Sequence, residues 1–397
     1  MINKLITSFR KNMPELVAFL NGSAPKFLYN VRRFKDIPVF CFHSAEYDLF
    51  DRQLKFLKRN SYNTLNATEL LERLQDNNYR NAGNEIVLTF DDGMGSVWAT
   101  GLPLLEKYDF QMILFVIPGL ISEGMPGLSL KNSLSDEERQ NVTGRDYSEN
   151  PLCNWGEITA LHNSGLVDIQ SHGMHHMLVG TADKIVDFIH PDYDVYHYGN
   201  IHIPAFENEQ MSKLLSRDFV LGHPVYKNAP RLKGLARYKD STATRHACAK
   251  HVASNGGEQF FDNPNWREEL LNIVQAAEQK PDYESSDEVL QALRHELVES
   301  KRIIEERIPG KTVEHFCFPW FQACEESASL AIDVGYKAIY MGATPGFKSV
   351  QGNTYPNIVT RLQEEYLLHL PGETNISFRE VLKQKKRRKT QLMMKND

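Results

Sequence analysis

Apolar and polar positions along the chain fall into two recurring patterns. Short apolar runs, PVFCF (38–42), IVLTF (86–90), QMILFVIP (111–118), LVDIQSH (166–172), VEHFCFP (313–319) and KAIYM (337–341), predict buried strands. Between them lie stretches with apolar residues at helical spacing. Phe50, Leu54, Phe56 and Leu57 share one face, and Asn66 followed by Glu69 has the spacing of a capping box. GLPLLEKYD, WGEITALHNSG and EESASLAIDVGY continue the series. A longer helix begins at a second box, Ser285 and Glu288. It keeps Val289, Leu293, Leu297, Ile304 and Ile308 on one face until Pro309 and Gly310 stop it. Strands alternating with helices in this way predict parallel βα units.

The rhythm lapses from about Met177 to Asp282, where Pro, Gly, Tyr and His are frequent and helical spacing is intermittent. The pattern therefore predicts one catalytic α/β domain over residues 35–375, interrupted by an insertion at about 177–284. An N-terminal extension (1–34) and a basic tail (376–397) flank it. The tail carries six basic residues between Lys383 and Lys389. The simplest expectation for it is a solvated, disordered segment; the sharper one is contact with anionic lipid head groups.

Composition narrows this picture. A chain of 397 residues with 41% hydrophobic and 24% charged residues is that of a soluble globular protein. A formal net charge of −6 disfavours a general nucleic-acid binder. The five scattered cysteines contain no C-x-x-C pair, so neither a disulfide framework nor a thiolate zinc site is expected. The first residues hold no uninterrupted apolar core of a secretory signal, and no run is long enough to span a bilayer. The expected location is cytoplasmic, with peripheral contact at the inner face of the membrane.

Candidate chemistry collects at strand ends. Asp91 and Asp92 stand side by side where IVLTF stops, a costly placement unless something compensates the charge. Taken alone, such a pair is most simply a helix cap or a surface turn. Another strand end offers SHGMHH, in which His172 and His176 are four residues apart. Two imidazoles and a carboxylate form a common set for a divalent cation. One aspartate then binds the cation, and the cation helps to keep the other ionised as a general base. With Gly93 free to turn the backbone, both aspartates can reach one site.

With these residues in place, the chain resembles the polysaccharide deacetylases. These are carbohydrate esterase family four, with the nodulation-type chitooligosaccharide deacetylase homology domain. The resemblance runs from about Pro38 to Arg361 outside the insertion. Thr89-Phe90-Asp91-Asp92-Gly93 matches the family's first motif, and His172-Gly173-Met174-His175-His176 its second, with glycine in place of the usual hydroxyl residue. The resemblance implies a distorted (β/α) barrel, Asp91 as catalytic base, and Asp92, His172 and His176 as ligands of one divalent metal, zinc above all. The third motif departs from the family. FCFPWFQ keeps Pro319 and Trp320, but Cys317 stands where arginine is expected. The Trp320 main-chain N–H is then the expected oxyanion donor, and Arg361 the candidate to replace the missing guanidinium. Leu367-Leu368-His369 matches the family's L-x-H, which implies that His369 protonates the departing amine.

Pro319, Trp320 and His43 are expected to line the substrate pocket. His175 is out of phase with the ligand pair and is expected at the surface or behind it. His190, His197 and His202 suggest a second metal cluster, though a polar insertion lining a sugar pocket explains them as well. Arg231, Lys233, Arg237 and Lys239 are candidates for a substrate phosphate or carboxylate, or else a solvated basic face.

The implied function is metal-dependent removal of an N-acetyl or N-formyl group from an amino sugar. A nucleotide- or lipid-linked precursor of a surface polysaccharide fits an intracellular enzyme best. Rival readings are a deacetylase-like glycan-binding protein with weakened catalysis, a haloacid-dehalogenase-type phosphatase, and a two-histidine-one-carboxylate oxygenase. The phosphatase needs its second aspartate two positions on, and the oxygenase needs H-x-[DE] spacing. Neither pattern is present at these residues.

Overall fold

The computed structural model describes residues 26–29, 37–193, 220–342 and 357–394, apart from 77, 80, 82, 149, 278 and 279. His197 and His202 lie outside the described residues. The strands in chain order are β1 (Val39–Phe42), β2 (Asn63–Thr64), β3 (Glu85–Phe90), β4 (Met112–Val116) and β5 (Val167–Ser171). They continue with β6 (Leu178–Phe188), β7 (Pro224–Pro230), β8 (His315–Cys317), β9 (Ala338–Gly342) and β10 (Asn357–Gln363). The chain divides into two compact units. One comprises residues 1–173, 299–321 and 331–397; the other comprises 174–298 and 322–330.

The first unit is a barrel. β1 pairs in parallel with β10 on one side and β3 on the other, so the order β1-β10-β9-β8-β5-β4-β3 closes on itself as seven parallel strands. β2 adds to the start of β3 only, Asn63 opposite Glu85, and makes the ring uneven. Strand alternation explains the interior. Val39, Val87, Ile113, Phe115, Tyr340 and Val359 are buried together in one cluster. Two residues further along the same strands come Cys41, Thr89 and Arg361, and Asp91 follows Thr89 at the same period. The in-between residues face the helical layer, where Phe42 and Phe90 stack at 4.8 Å between centroids and Phe50 packs edge-on against both.

Both expected capping boxes are present. The Asn66 side chain accepts from Glu69 N–H at 2.9 Å while the Glu69 carboxylate accepts from Asn66 N–H at 2.9 Å. Ser285 and Glu288 exchange the same pair of bonds at 2.7 and 3.3 Å, at the head of helix Ser286–Arg307. A third box, Asn154 with Glu157, opens the helix that leads into β5.

The second unit has its own small core of Phe188, Cys248, Val252, Phe260 and Leu270. Its β6 and β7 form an antiparallel ribbon that the sequence did not announce, because β6 has no continuous buried face: Asp183 and Lys184 in its middle are exposed. The basic tail also differs from expectation. Residues Phe378–Met394 are helical, started by Ser377, whose hydroxyl accepts from Glu380 N–H at 3.2 Å, and anchored by the buried Val381. In the N-terminal extension, Lys26–Tyr29 forms one 3-10 turn with Phe27 and Leu28 buried.

Candidate active site

The carboxyl ends of β1, β3 and β10 bring Asp91 into a buried polar cluster. Arg361 grips it with a fork: Nη1 donates to Oδ1 at 2.6 Å and Nη2 to Oδ2 at 2.8 Å, with both side chains buried. The guanidinium is itself fixed. Nη1 also donates to Thr89 Oγ1 at 3.2 Å, and the Phe115 and Phe321 rings lie 5.8 and 5.1 Å from its central carbon. Arg361 is thus where the sequence reading looked for a replacement guanidinium.

Sequence reasoning missed the two thiols. Cys41 Sγ lies 3.5 Å from Asp91 Oδ2, and Cys317 Sγ lies 3.8 Å from both carboxylate oxygens. Burial pushes both thiols above the ordinary cysteine value, so at neutral pH they are S–H groups that donate toward the carboxylate. For Cys41 a signal existed: it shares a face of β1 with Val39, a core residue. Burial by itself would raise the Asp91 carboxyl, but the Arg361 charge outweighs it and His172 adds to the effect. Asp91 is held well below the usual carboxylate range.

Asp92 turns away at once. Its φ is 71° and that of Gly93 is 79°, two successive left-handed residues that bend the chain sharply as β3 ends. The turn brings Asp92 Oδ1 to 3.4 Å from His172 Nε2. His172 is oriented from its other side, where Nδ1 donates to the Cys317 carbonyl at 2.8 Å. In that tautomer Nε2 carries a lone pair aimed at a carboxylate oxygen. A proton on Nε2 or a divalent cation between the two atoms would each suit this pairing, and imidazole with carboxylate is a donor set that fits a divalent metal. Burial lowers the His172 imidazolium while Cys317, Asp91 and Asp92 raise it, with a net rise, as expected of a position that favours positive charge. Two further sets, Cys41–His43–Asp91 and Asp91–His172–Cys317, also bring one donor atom of each residue within 4.8 Å of the others. His176 belongs to the second unit, where it is buried with φ 54°.

Trp320 follows the buried Pro319 after β8, and Trp320 and Phe321 are both left-handed, with φ of 59° and 57°. Two bulky residues in that region are strained by roughly 1–3 kcal/mol each, a cost that accumulates at functional turns. His43 is exposed, one residue beyond β1.

Other expectations are corrected. His369 sits in a 3-10 turn (Glu364–His369) and is buried. Its Nδ1 faces the Ile376 carbonyl at 2.5 Å and Nε2 faces the Leu28 carbonyl at 2.9 Å, so both nitrogens are engaged by main chain. That placement makes it a structural strut and does not support a role as proton donor. Of the basic residues in the insertion, Arg231 is taken by Glu284 through a two-bond fork at 2.7 Å each, and Arg237 Nε joins the same carboxylate at 3.1 Å. Lys239 pairs with Glu288 at 2.8 Å. All three are already taken by carboxylates of the chain, Arg231 and Arg237 by the buried Glu284 side chain and Lys239 by Glu288 at the surface, so they are not a ready anion site. His190 lies against Tyr193, Phe261 and Trp266, with Asp187 3.9 Å from its Nε2; its suggested partners His197 and His202 lie outside the described residues. His175 takes the second of its two expected places: it is buried, with Nδ1 2.7 Å from Glu296 Oε1.

Comparison with known proteins agrees with the motifs. Residues 78–189 match the model of the polysaccharide deacetylase family. No curated protein sequence matches the chain. Among solved structures the chain is similar to a de-N-acetylase from Aggregatibacter actinomycetemcomitans, at 16% identity with a TM-score of 0.46. That match covers 82% of this chain and 94% of the other. It is also similar to the BpsB deacetylase domain from Bordetella bronchiseptica (14%, TM-score 0.47, covering 83% and 96%). A third is IcaB from Ammonifex degensii (14%, TM-score 0.45, covering 85% and 96%). Asp91 and Asp92, which follow one barrel strand, and His172, which follows another, all lie inside the stretch 78–189 that matches the polysaccharide deacetylase family model.

Proposed function

We propose that this protein removes an N-acyl group, acetyl or formyl, from an amino sugar, with Asp91 as general base. The observation that carries the reading is the buried Arg361 fork on Asp91, which keeps the carboxylate ionised and fixes its direction at the barrel mouth. An ionised carboxylate that cannot rotate is suited to accept a proton from an attacking water. Asp92 and His172 would hold one divalent metal, zinc by the chemistry of the donors. His176, four residues along the chain from His172, would be the third ligand on its sequence spacing. Bound there, the metal would supply Lewis-acid polarisation of the amide and a more acidic water.

The remaining roles fall to the chain. The Trp320 main-chain N–H, at a left-handed turn, would be the donor to the oxyanion of the tetrahedral intermediate. His43, which is exposed and has a ring nitrogen within 4.8 Å of the Asp91 carboxylate, would protonate the leaving amine in place of His369. Pro319 and Trp320 would line the acyl end of the pocket.

For substrate we infer a nucleotide- or lipid-linked precursor, handled at the cytoplasmic face of a membrane. The support is the C-terminal helix, on which Arg379, Lys383, Lys386 and Arg387 are exposed at spacings that share one side. Among the described residues no helix is long and apolar enough to cross a membrane. The test is acetate release from a panel of nucleotide- and lipid-linked N-acetyl amino sugars. Turnover of polymer alone would overturn the precursor assignment. Phosphate release in place of acetate would overturn the deacetylase reading itself.

A further inference from the structure

Helix Ser286–Arg307 carries a carboxylate where its apolar stripe should continue. Leu293, Leu297 and Ile304 are buried on that stripe, and Glu296, between the first two, is only 2% exposed. An acid in such a place is strongly disfavoured unless donors surround it. Three do, and all come from two residues of the histidine motif. Glu296 Oε2 accepts from the main-chain N–H groups of Met174 and His175, each at 3.0 Å, and Oε1 faces His175 Nδ1 at 2.7 Å. His295 stacks on the far face of the His175 ring at 5.8 Å.

The clamped residues lie between two unusual ones. Gly173 before them has φ 85°, and His176 after them has φ 54°. Glycine adopts that conformation readily, but histidine does so only when its surroundings enforce it. A carboxylate that binds both intervening N–H groups fixes the orientation of the two peptide planes leading into His176. Burial would raise the Glu296 carboxyl, yet its contacts with His175 hold it below the usual value, so it stays an acceptor throughout the neutral range.

We propose that Glu296 is a positioning residue for the metal motif: through Met174 and His175 it locks the backbone that makes His176 available as a ligand. His175 is then the strut of this clamp, which accounts for a histidine lying between the two ligands without being one. The inference rests on the metal-binding reading above, and the experiment separates the two. Zinc and cobalt affinities of the purified protein are measured by competition with a chromophoric chelator, for wild type, Glu296→Gln, His175→Ala and His175→Gln. Glu296→Gln keeps the shape but turns one acceptor into a donor, and should weaken the metal by about 10–100-fold. It should also change the visible spectrum of the cobalt form, which reports ligand geometry and is insensitive to global stability. His175→Ala should weaken binding less, because two main-chain bonds remain, and His175→Gln should recover part of that loss. Metal affinity within twofold of wild type in Glu296→Gln, with an unchanged cobalt spectrum, overturns the clamp. Should Glu296→Gln not fold, wild-type affinity in both His175 variants overturns it instead. Wild type that binds neither metal overturns the metal reading first.

Discussion

Replacing Arg361 with glutamine leaves a buried carboxylate without its counter-charge, and the size of the effect follows from the geometry. Two unit charges about 4 Å apart attract by roughly 4 kcal/mol at the effective dielectric suited to protein sites. Breaking one half of a buried pair costs about 3–5 kcal/mol by experience with other proteins. Both figures predict that Arg361→Gln lowers unfolding stability near pH 7.5 by about 3–5 kcal/mol. The midpoint of urea unfolding measures the loss. Arg361→Lys keeps the charge but cannot make two parallel bonds, and should fall between.

The pH dependence gives a sharper criterion, because its sign reverses. In wild type the Asp91 carboxyl titrates below its unfolded value, near 3.9. The stabilisation is therefore complete above that value and is lost only as the pH falls through the lower folded one. In Arg361→Gln burial is no longer offset by the guanidinium, and the carboxyl is expected to rise above its unfolded value. Lowering the pH from 7.5 to 5 should then stabilise the variant, whereas wild type gains nothing from it. The acid limb of the turnover profile should move upward in parallel, one pH unit for each 1.36 kcal/mol lost from the pair. The double variant Asp91→Asn/Arg361→Gln should regain part of the stability, since no charge is then left buried and unpaired. If Arg361→Gln unfolds at the wild-type midpoint and its acid limb stays in place, the pair does not hold the base and the argument fails.

The other predictions are simpler to test. Elemental analysis of Asp92→Ala should show loss of about one divalent metal per chain, and Asp91→Asn should retain the metal while losing turnover; normal turnover in Asp91→Asn would remove it as the base. His43→Asn should slow cleavage of amides with poor leaving amines far more than of activated anilides, whereas His369→Asn should lower the melting temperature and leave that ratio unchanged. Sedimentation with vesicles should deplete the protein only when anionic lipid is present and salt is low. Reversing Lys383 and Arg387 to glutamate should abolish the depletion, and binding to purely zwitterionic vesicles would contradict the electrostatic account.

Much of the barrel was legible because its signals are local. Apolar runs marked β1, β3, β4, β5, β8 and β9 within a residue or two, and the Asn66–Glu69 and Ser285–Glu288 boxes marked where helices begin. What stayed hidden depends on contacts distant in sequence. His369 has the spacing of a motif, yet its ring is spent on carbonyls at Leu28 and Ile376, one of them 341 residues away. The β6–β7 ribbon hides for a different reason: with exposed residues through the middle of β6, it never develops the alternation that announces a strand. Glu296 is masked by its own helix, where one acid among leucines reads as a surface interruption until its three donors are seen.

Cys317 shows why the strongest departure from the family pattern did not empty the site. In a closed barrel of parallel strands the carboxyl ends converge on one axis, and inward positions recur at every second residue. A guanidinium needed beside Asp91 is therefore specified by a place in space, which more than one strand can reach. In this chain β10 supplies it, from the inward position two residues after Val359, and β8 carries Cys317. That place on β8 serves the site through its other groups. The Cys317 carbonyl sets the His172 tautomer, and its thiol fills the space against Asp91 with a weak donor. With Cys317 at this position, the Asp91 carboxylate is still paired by the Arg361 fork, so it is not left buried without a counter-charge.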